Sequence, residues 1–203
     1  YRIPSTRLQG WDYRNIAAYF ITILTKNRKH FFGEIVDVPH PDTTKKMQLS
    51  EIGKIVQTEW IKTPEIRQDM KLELLEFIVM PDHFHGIIVI GKNEYNRDTV
   101  GVTEKDDLIN IGVGDVRHRV STMKLYDIQK QCFASTYKNL FSFQTKNLAS
   151  IMRGFKSVVT IQARKIDPFF AWQPRFYDHI IRSNKSYKII ANYINTNPEK
   201  WHM

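Results

Sequence analysis

Phe77-Ile78-Val79-Met80-Pro81-Asp82-His83-Phe84-His85-Gly86-Ile87-Ile88-Val89-Ile90 is the stretch that decides the fold. It reads as two strands joined at Pro81-Asp82. Proline presets φ there, and an aspartate side chain bonds nearby backbone, so both residues favour a turn. Beyond the turn the side chains alternate between faces. His83 and His85 therefore project from one face, and Phe84, Gly86, Ile88 and Ile90 from the other. Two neutral imidazoles held two residues apart on a rigid strand can share a divalent ion. The same pair reads equally as two histidines satisfied by backbone or carboxylate partners. Two nitrogens also fall short of the three protein ligands usual in a catalytic zinc site, so a third donor must come from elsewhere.

Working outward, Ala18-Tyr19-Phe20-Ile21-Thr22-Ile23-Leu24-Thr25 is rich in β-branched and aromatic residues and reads as a buried strand. Lys26-Asn27-Arg28-Lys29-His30 after it is a basic loop, for which phosphate contact and simple solvation are both open. Residues 70–79 form the strand entering the central hairpin, and Phe176 to Arg182 a further short strand. Residues 37–46, with Pro39 and Pro41, read as a polar connection.

Three segments carry helical spacing. Ser50 precedes Ile52, Ile55, Val56, Trp60 and Ile61, with Pro64 expected to end that helix. Leu148, Ile151, Met152, Phe155, Val158 and Val159 share a second apolar face, with Arg153 and Lys156 together on another side. A last helix, capped by Ser183 or Asn184, runs through Tyr187, Ile190, Tyr193 and Ile194 and stops near Asn197-Pro198. Tyr193 and Asn197, four apart, share a face. Between Gly91 and about Asn147 the pattern weakens, and residues 91–147 read as a loop-rich insertion in a single domain spanning 1–203. Arg2, Arg7, Trp11 and Tyr13 interleave basic and aromatic residues in the opening segment, which suits either base stacking or anchoring onto the domain.

Thirty basic against twenty-one acidic side chains give a formal net charge of +9, which suits a polyanionic partner, nucleic acid first. The stretch from Gln144 to Arg182 holds a local excess of five positive charges, with Lys26 and Arg28 elsewhere. Its Arg153, Lys156, Arg175 and Arg182 lie beside the aromatic Phe169, Phe170 and Trp172, the two ingredients of a single-strand groove. One cysteine, Cys132, excludes an intramolecular disulfide and a thiolate metal cluster, and points to a reducing cytoplasm. No apolar run approaches the roughly 20 residues that cross a bilayer, so no membrane partner is expected.

Several of these segments, in this order, resemble the single-tyrosine transposases of the IS200-like group, a branch of the HUH endonucleases, and among them the REP-associated tyrosine transposases. The resemblance lies in Tyr19-Phe20-Ile21-Thr22 with Thr25-Lys26-Asn27-Arg28, and in Met80-Pro81-Asp82-His83-Phe84-His85-Gly86. It continues through Gly154-Phe155-Lys156-Ser157, the run from Trp172 to Arg182, and Tyr193-Ile194-Asn195-Thr196-Asn197-Pro198. It implies an α+β fold, with an antiparallel sheet of four to five strands in ferredoxin-like or RRM-like topology and helices packed on it. It also implies Mg²⁺ or Mn²⁺ held by His83 and His85, with Asn197 at the place where the family commonly carries Gln. Tyr193 falls at the nucleophile that attacks a DNA phosphodiester to give a 5′-phosphotyrosine. The implied partner is single-stranded or hairpin DNA, with phosphates on Arg153, Lys156 and neighbours, and the implied state is a monomer or homodimer in the cytoplasm. A domesticated, non-cleaving nucleic-acid-binding protein of the same fold is the competing reading. A phosphodiesterase acting through water is another.

Overall fold

Strand β5 (His83–Ile90) is buried along its whole length, because it is an interior strand covered on both faces. The computed structural model describes residue 8 and residues 11–38, 45–96 and 145–201. In chain order they form β1 (Ala17–Leu24), β2 (Gly33–Asp37), β3 (Lys45–Leu49), α1 (Glu51–Ile66), β4 (Leu72–Val79), β5, α2 (Leu148–Ala163), β6 (Tyr177–Ile181) and α3 (Asn184–Asn195). The main sheet has the order β4-β5-β1-β6 and every neighbouring pair is antiparallel. With α1 between β1 and β4, and α2 between β5 and β6, this is the split βαββαβ arrangement of ferredoxin-like folds. The fold is therefore α+β, with four strands in the main sheet. Strands β2 and β3 pair separately as a hairpin inside the first crossover.

The alternation read from the sequence partitions the sheet. Phe84 points toward α1 and α2, its ring 4.7 Å from Trp60 and 5.7 Å from Phe155. Gly86 lies under the same rings. A Cβ there would sit 2.8 Å from the Phe84 ring and 2.9 Å from Trp60, so only glycine permits this approach. Directly opposite residues of an antiparallel pair share a face. The register Thr22↔His85, Phe20↔Ile87 and Leu24↔His83 therefore puts Phe20, Thr22 and Leu24 on the histidine side. Helix α3 packs on that side, where the Tyr187 hydroxyl donates to the Glu76 carboxylate (2.7 and 2.9 Å). The opening segment, as far as it is described, is anchored. Tyr13 is buried, and the Trp11 indole donates to the Tyr19 hydroxyl at 3.0 Å.

Some expectations are corrected. Helix α1 does not stop at Pro64 but runs to Ile66. Proline sits in the last turn, where its carbonyl accepts from the Arg67 amide. Ile61 lies on the outer side of α1 and Val158 at the rim of α2, both exposed. Within the expected polar connection 37–46, β2 ends at Asp37 and β3 begins at Lys45. Most of the 91–147 insertion, with Arg2, Arg7 and Cys132, lies outside the described residues.

Candidate active site

Both histidines are buried, and each has its Nδ1 engaged by a neighbouring side chain. The turn before β5 presents Asp82, 2% exposed, whose carboxylate oxygen lies 2.6 Å from His83 Nδ1. Its other oxygen meets Arg28 Nε at 2.7 Å. Arg28 reaches it because Asn27 and Arg28 take left-handed φ values of 56° and 57° in a tight 3₁₀ turn after β1. Asparagine tolerates that region better than most residues. Thr25 ties the turn down, its hydroxyl donating to Lys29 and Asp82 carbonyls at 2.8 and 3.0 Å. Burial works against ionisation of Asp82, but the His83 hydrogen bond and the positive charges around it bring its carboxyl below the ordinary range.

His85 Nδ1 lies 2.9 Å from Thr22 Oγ1, and its ring stacks on Phe20 with centroids 5.3 Å apart. Burial first, then the charges of His83 and Arg28, push His85 down to about 3, so its imidazole is neutral at physiological pH. The two imidazole centroids stand 4.6 Å apart. Helix α3 brings the Tyr193 hydroxyl to 3.3 Å from His85 Nε2, across 108 residues of chain. Tyr193 is 41% exposed, so its hydroxyl is within reach of both solvent and the imidazole. Asn197 is buried just past α3, its backbone N–H donating to the Ile194 carbonyl at 3.3 Å. Trp201 follows, tilted against His83 with centroids 5.8 Å apart.

With Asp82 and Thr22 on the Nδ1 atoms, an ion would bind at Nε2 of each ring, and on His85 it would take the place of the Tyr193 contact. An outer hydrogen bond of this kind orients metal-binding histidines. Among the described residues no group of three or more His, Cys, Asp or Glu side chains could hold a metal. A further donor must therefore be of another type, such as an amide, water or substrate oxygen. Neutral imidazole suits divalent ions of borderline character, and a harder ion such as Mg²⁺ or Mn²⁺ would need oxygen donors to fill most of its shell.

The basic residues divide. Arg153, Lys156, Arg164 and Arg175 line a groove of about 640 Å³ between α2 and the loop 171–176. That loop is joined to the end of β1 by the Lys26 amide donating to the Ala171 carbonyl (2.8 Å) and the Gln173 amide to Leu24 (2.8 Å). Lys156 is less available than its helical position suggests. Its ammonium donates to the Gln173 and Arg175 carbonyls, both at 2.9 Å, and burial pulls it down to about 8. Lys26 and Arg182 are exposed, whereas Arg28 is committed to Asp82. Thr22 and Phe20 escaped sequence reasoning because only the β1–β5 register places them. Asp82 was visible only as a turn residue.

No family model matches the chain. It is 32% identical over 198 residues to an uncharacterized protein of Haemophilus influenzae, over 97% of this chain and 88% of that one. The solved structure of a REP-associated tyrosine transposase bound to a REP hairpin superposes with a TM-score of 0.52 at 18% identity. It covers 98% of this chain and 74% of its own, and it shows a common fold. A Deinococcus radiodurans structure aligns at a TM-score of 0.36 and 14% identity, over 95% of this chain and 97% of that one, too loosely to bear on the site. Among the described residues no helix is long and apolar enough to cross a membrane.

Proposed function

The chain belongs to one family with the Haemophilus influenzae protein, and we propose that it is a transposase-like enzyme that cleaves and rejoins single-stranded DNA beside hairpins through Tyr193. The observation that carries this is the 3.3 Å approach of the Tyr193 hydroxyl to the Nε2 of His85. The two rings also meet edge to face with centroids 5.2 Å apart, which leaves Tyr193 41% exposed and His85 held by Thr22 and Phe20 as well.

His83 and His85 would hold the ion, Mg²⁺ or Mn²⁺, with Asn197 as the further protein donor. Bound there, such an ion supplies charge stabilisation at the phosphate oxygens. The protein's own groups do the rest. Asp82 accepts from His83 Nδ1–H and so fixes that tautomer, Thr22 orients the His85 ring, and burial keeps His85 neutral. Attack by the Tyr193 oxygen forms an O–P bond and breaks the P–O3′ bond, and the phenolic proton ends on the released 3′-hydroxyl. The covalent 5′-phosphotyrosine preserves the bond energy, so a 3′-hydroxyl can reverse the step at another junction without ATP. Arg153, Arg175 and the Lys156 edge of the α2 groove, with Lys26 and Arg182, would hold flanking phosphates. Fixed Nδ1 partners would make the site ready for its ion before DNA arrives.

The test is to incubate the protein with single-stranded oligonucleotides from the DNA flanking its gene, with Mn²⁺ or with EDTA. Ion-dependent cleavage supports the proposal. Binding without cleavage in any metal supports a domesticated DNA-binding protein, and cleavage unaffected by EDTA removes the role of the histidine pair.

A further inference from the structure

Two hollows adjoin on the sheet face that carries the histidines, and neither belongs to the ion site. One, of about 430 Å³, lies between β6 and α3 over Phe20, Tyr177, His179 and Ile189, with Lys185 at its rim. The other, of about 380 Å³, continues from Tyr177 and His179 over the edge of β6 toward Arg182. Tyr177 and Ile189 are 50% and 61% exposed, an aromatic and an aliphatic surface that the fold leaves in water. Phe20 links the first hollow to the proposed nucleophile. Its ring stands edge-on to Tyr177 at 6.4 Å and to Tyr193 at 6.3 Å, so Tyr177 lies no more than about 13 Å from Tyr193. That is the span of a few nucleotides of a single strand. The first turn of α3 holds no acidic residue. Asp178 is the carboxylate lining the second hollow, which Arg182 also lines.

We infer that Tyr177 and His179 form a stacking platform for unpaired bases of the DNA strand on one flank of the scissile phosphate, with Lys185 and Arg182 against its backbone. The inference rests on the single-strand cleavage proposed above. The occupant is single-stranded DNA because the hollows pair flat aromatic surface with positive rims in a basic chain. An unpaired base offers a π-face to such a surface whatever its sequence.

The experiment uses the full chain carrying Tyr193→Phe, to prevent cleavage, and fluorescein-labelled random-sequence 12-mers read by anisotropy. Tyr177→Ala should weaken binding by about tenfold or more, and Tyr177→Phe by less than about twofold, since the ring and not the hydroxyl stacks. A 12-base-pair duplex should bind both variants alike. Oligonucleotides containing 5-iodouracil should crosslink to Tyr177 on irradiation. Single-strand affinity unchanged in Tyr177→Ala, with no crosslink at that residue, overturns the platform and leaves the cleavage proposal standing. Loss of self-association in Tyr177→Ala, with DNA affinity intact, would assign the face to a second copy of the chain. Failure of the parent protein to bind any single strand overturns both.

Discussion

Thr22→Val isolates the hydrogen bond that holds His85. Valine matches threonine in shape and suits a strand, so β1 keeps its register. What is lost is the Oγ1 partner, 2.9 Å from a ring nitrogen on a histidine only 5% exposed. A stranded buried polar group costs about 1–3 kcal/mol. At roughly 2–4 °C per kcal/mol for a chain of this size, melting should fall by about 2–12 °C. The second consequence is functional. A histidine freed from its outer partner typically binds metal about 10–100-fold more weakly. Urea denaturation and Mn²⁺ titration measure the two effects, and the same substitution in a His85→Ala background closes a double-mutant cycle. There the stability cost should vanish. If Thr22→Val matches the parent in both stability and Mn²⁺ affinity, the imidazole is not held as described and its Nε2 has no fixed direction.

Three further outcomes are expected. His85 stays neutral to about pH 3 in the folded chain, while its unfolded counterpart binds a proton near 6.5. The unfolded state therefore takes up more protons in that window, so stability is full above pH 6.5 and falls as pH drops toward 3. The slope is at most about 1.4 kcal/mol per pH unit. Denaturation across that range should show it, and His85→Gln should flatten that part of the profile. Asp82→Asn cannot accept from both His83 and Arg28. It should lower Mn²⁺ affinity about 10–100-fold, a loss read by titration calorimetry and absent if the carboxylate is idle. Tyr187→Phe removes the bond to Glu76 that secures α3, costing about 1–3 kcal/mol. Amide exchange should quicken in α3 and not in α1, and uniform exchange would show that the helix is anchored elsewhere.

The shared face of His83 and His85 was legible because alternation in a strand is a local property, whereas the layout of the sheet came from the family resemblance. The cap of the last helix was narrowed to Ser183 or Asn184 from residue type alone, and Ser183 takes the role, accepting from the Ser186 amide. The hairpin β2–β3 was not legible. Its strands are five residues each and the intervening stretch carries two prolines, so no period accumulates. Pro64 misled because a proline breaks a helix interior more firmly than a last turn. Lys156 read as a cation available to phosphate, since helical periodicity cannot foresee that the loop after α2 folds back and presents two carbonyls to its ammonium. Thr22 belongs to the same class. Its partner lies 63 residues away, and only the β1–β5 register brings them together. Tyr193 is a middle case, marked by motif order, while its approach to His85 required the packing of α3.

The phenol of Tyr193 is the group proposed to attack DNA. The direct measurement is mass spectrometry of the protein after reaction with flanking single-stranded DNA and Mn²⁺, with the covalent adduct digested and sequenced. A 5′-phosphonucleotide on Tyr193, absent in Tyr193→Phe, is the result expected. An adduct on another tyrosine, or cut DNA with no adduct at all, would contradict it.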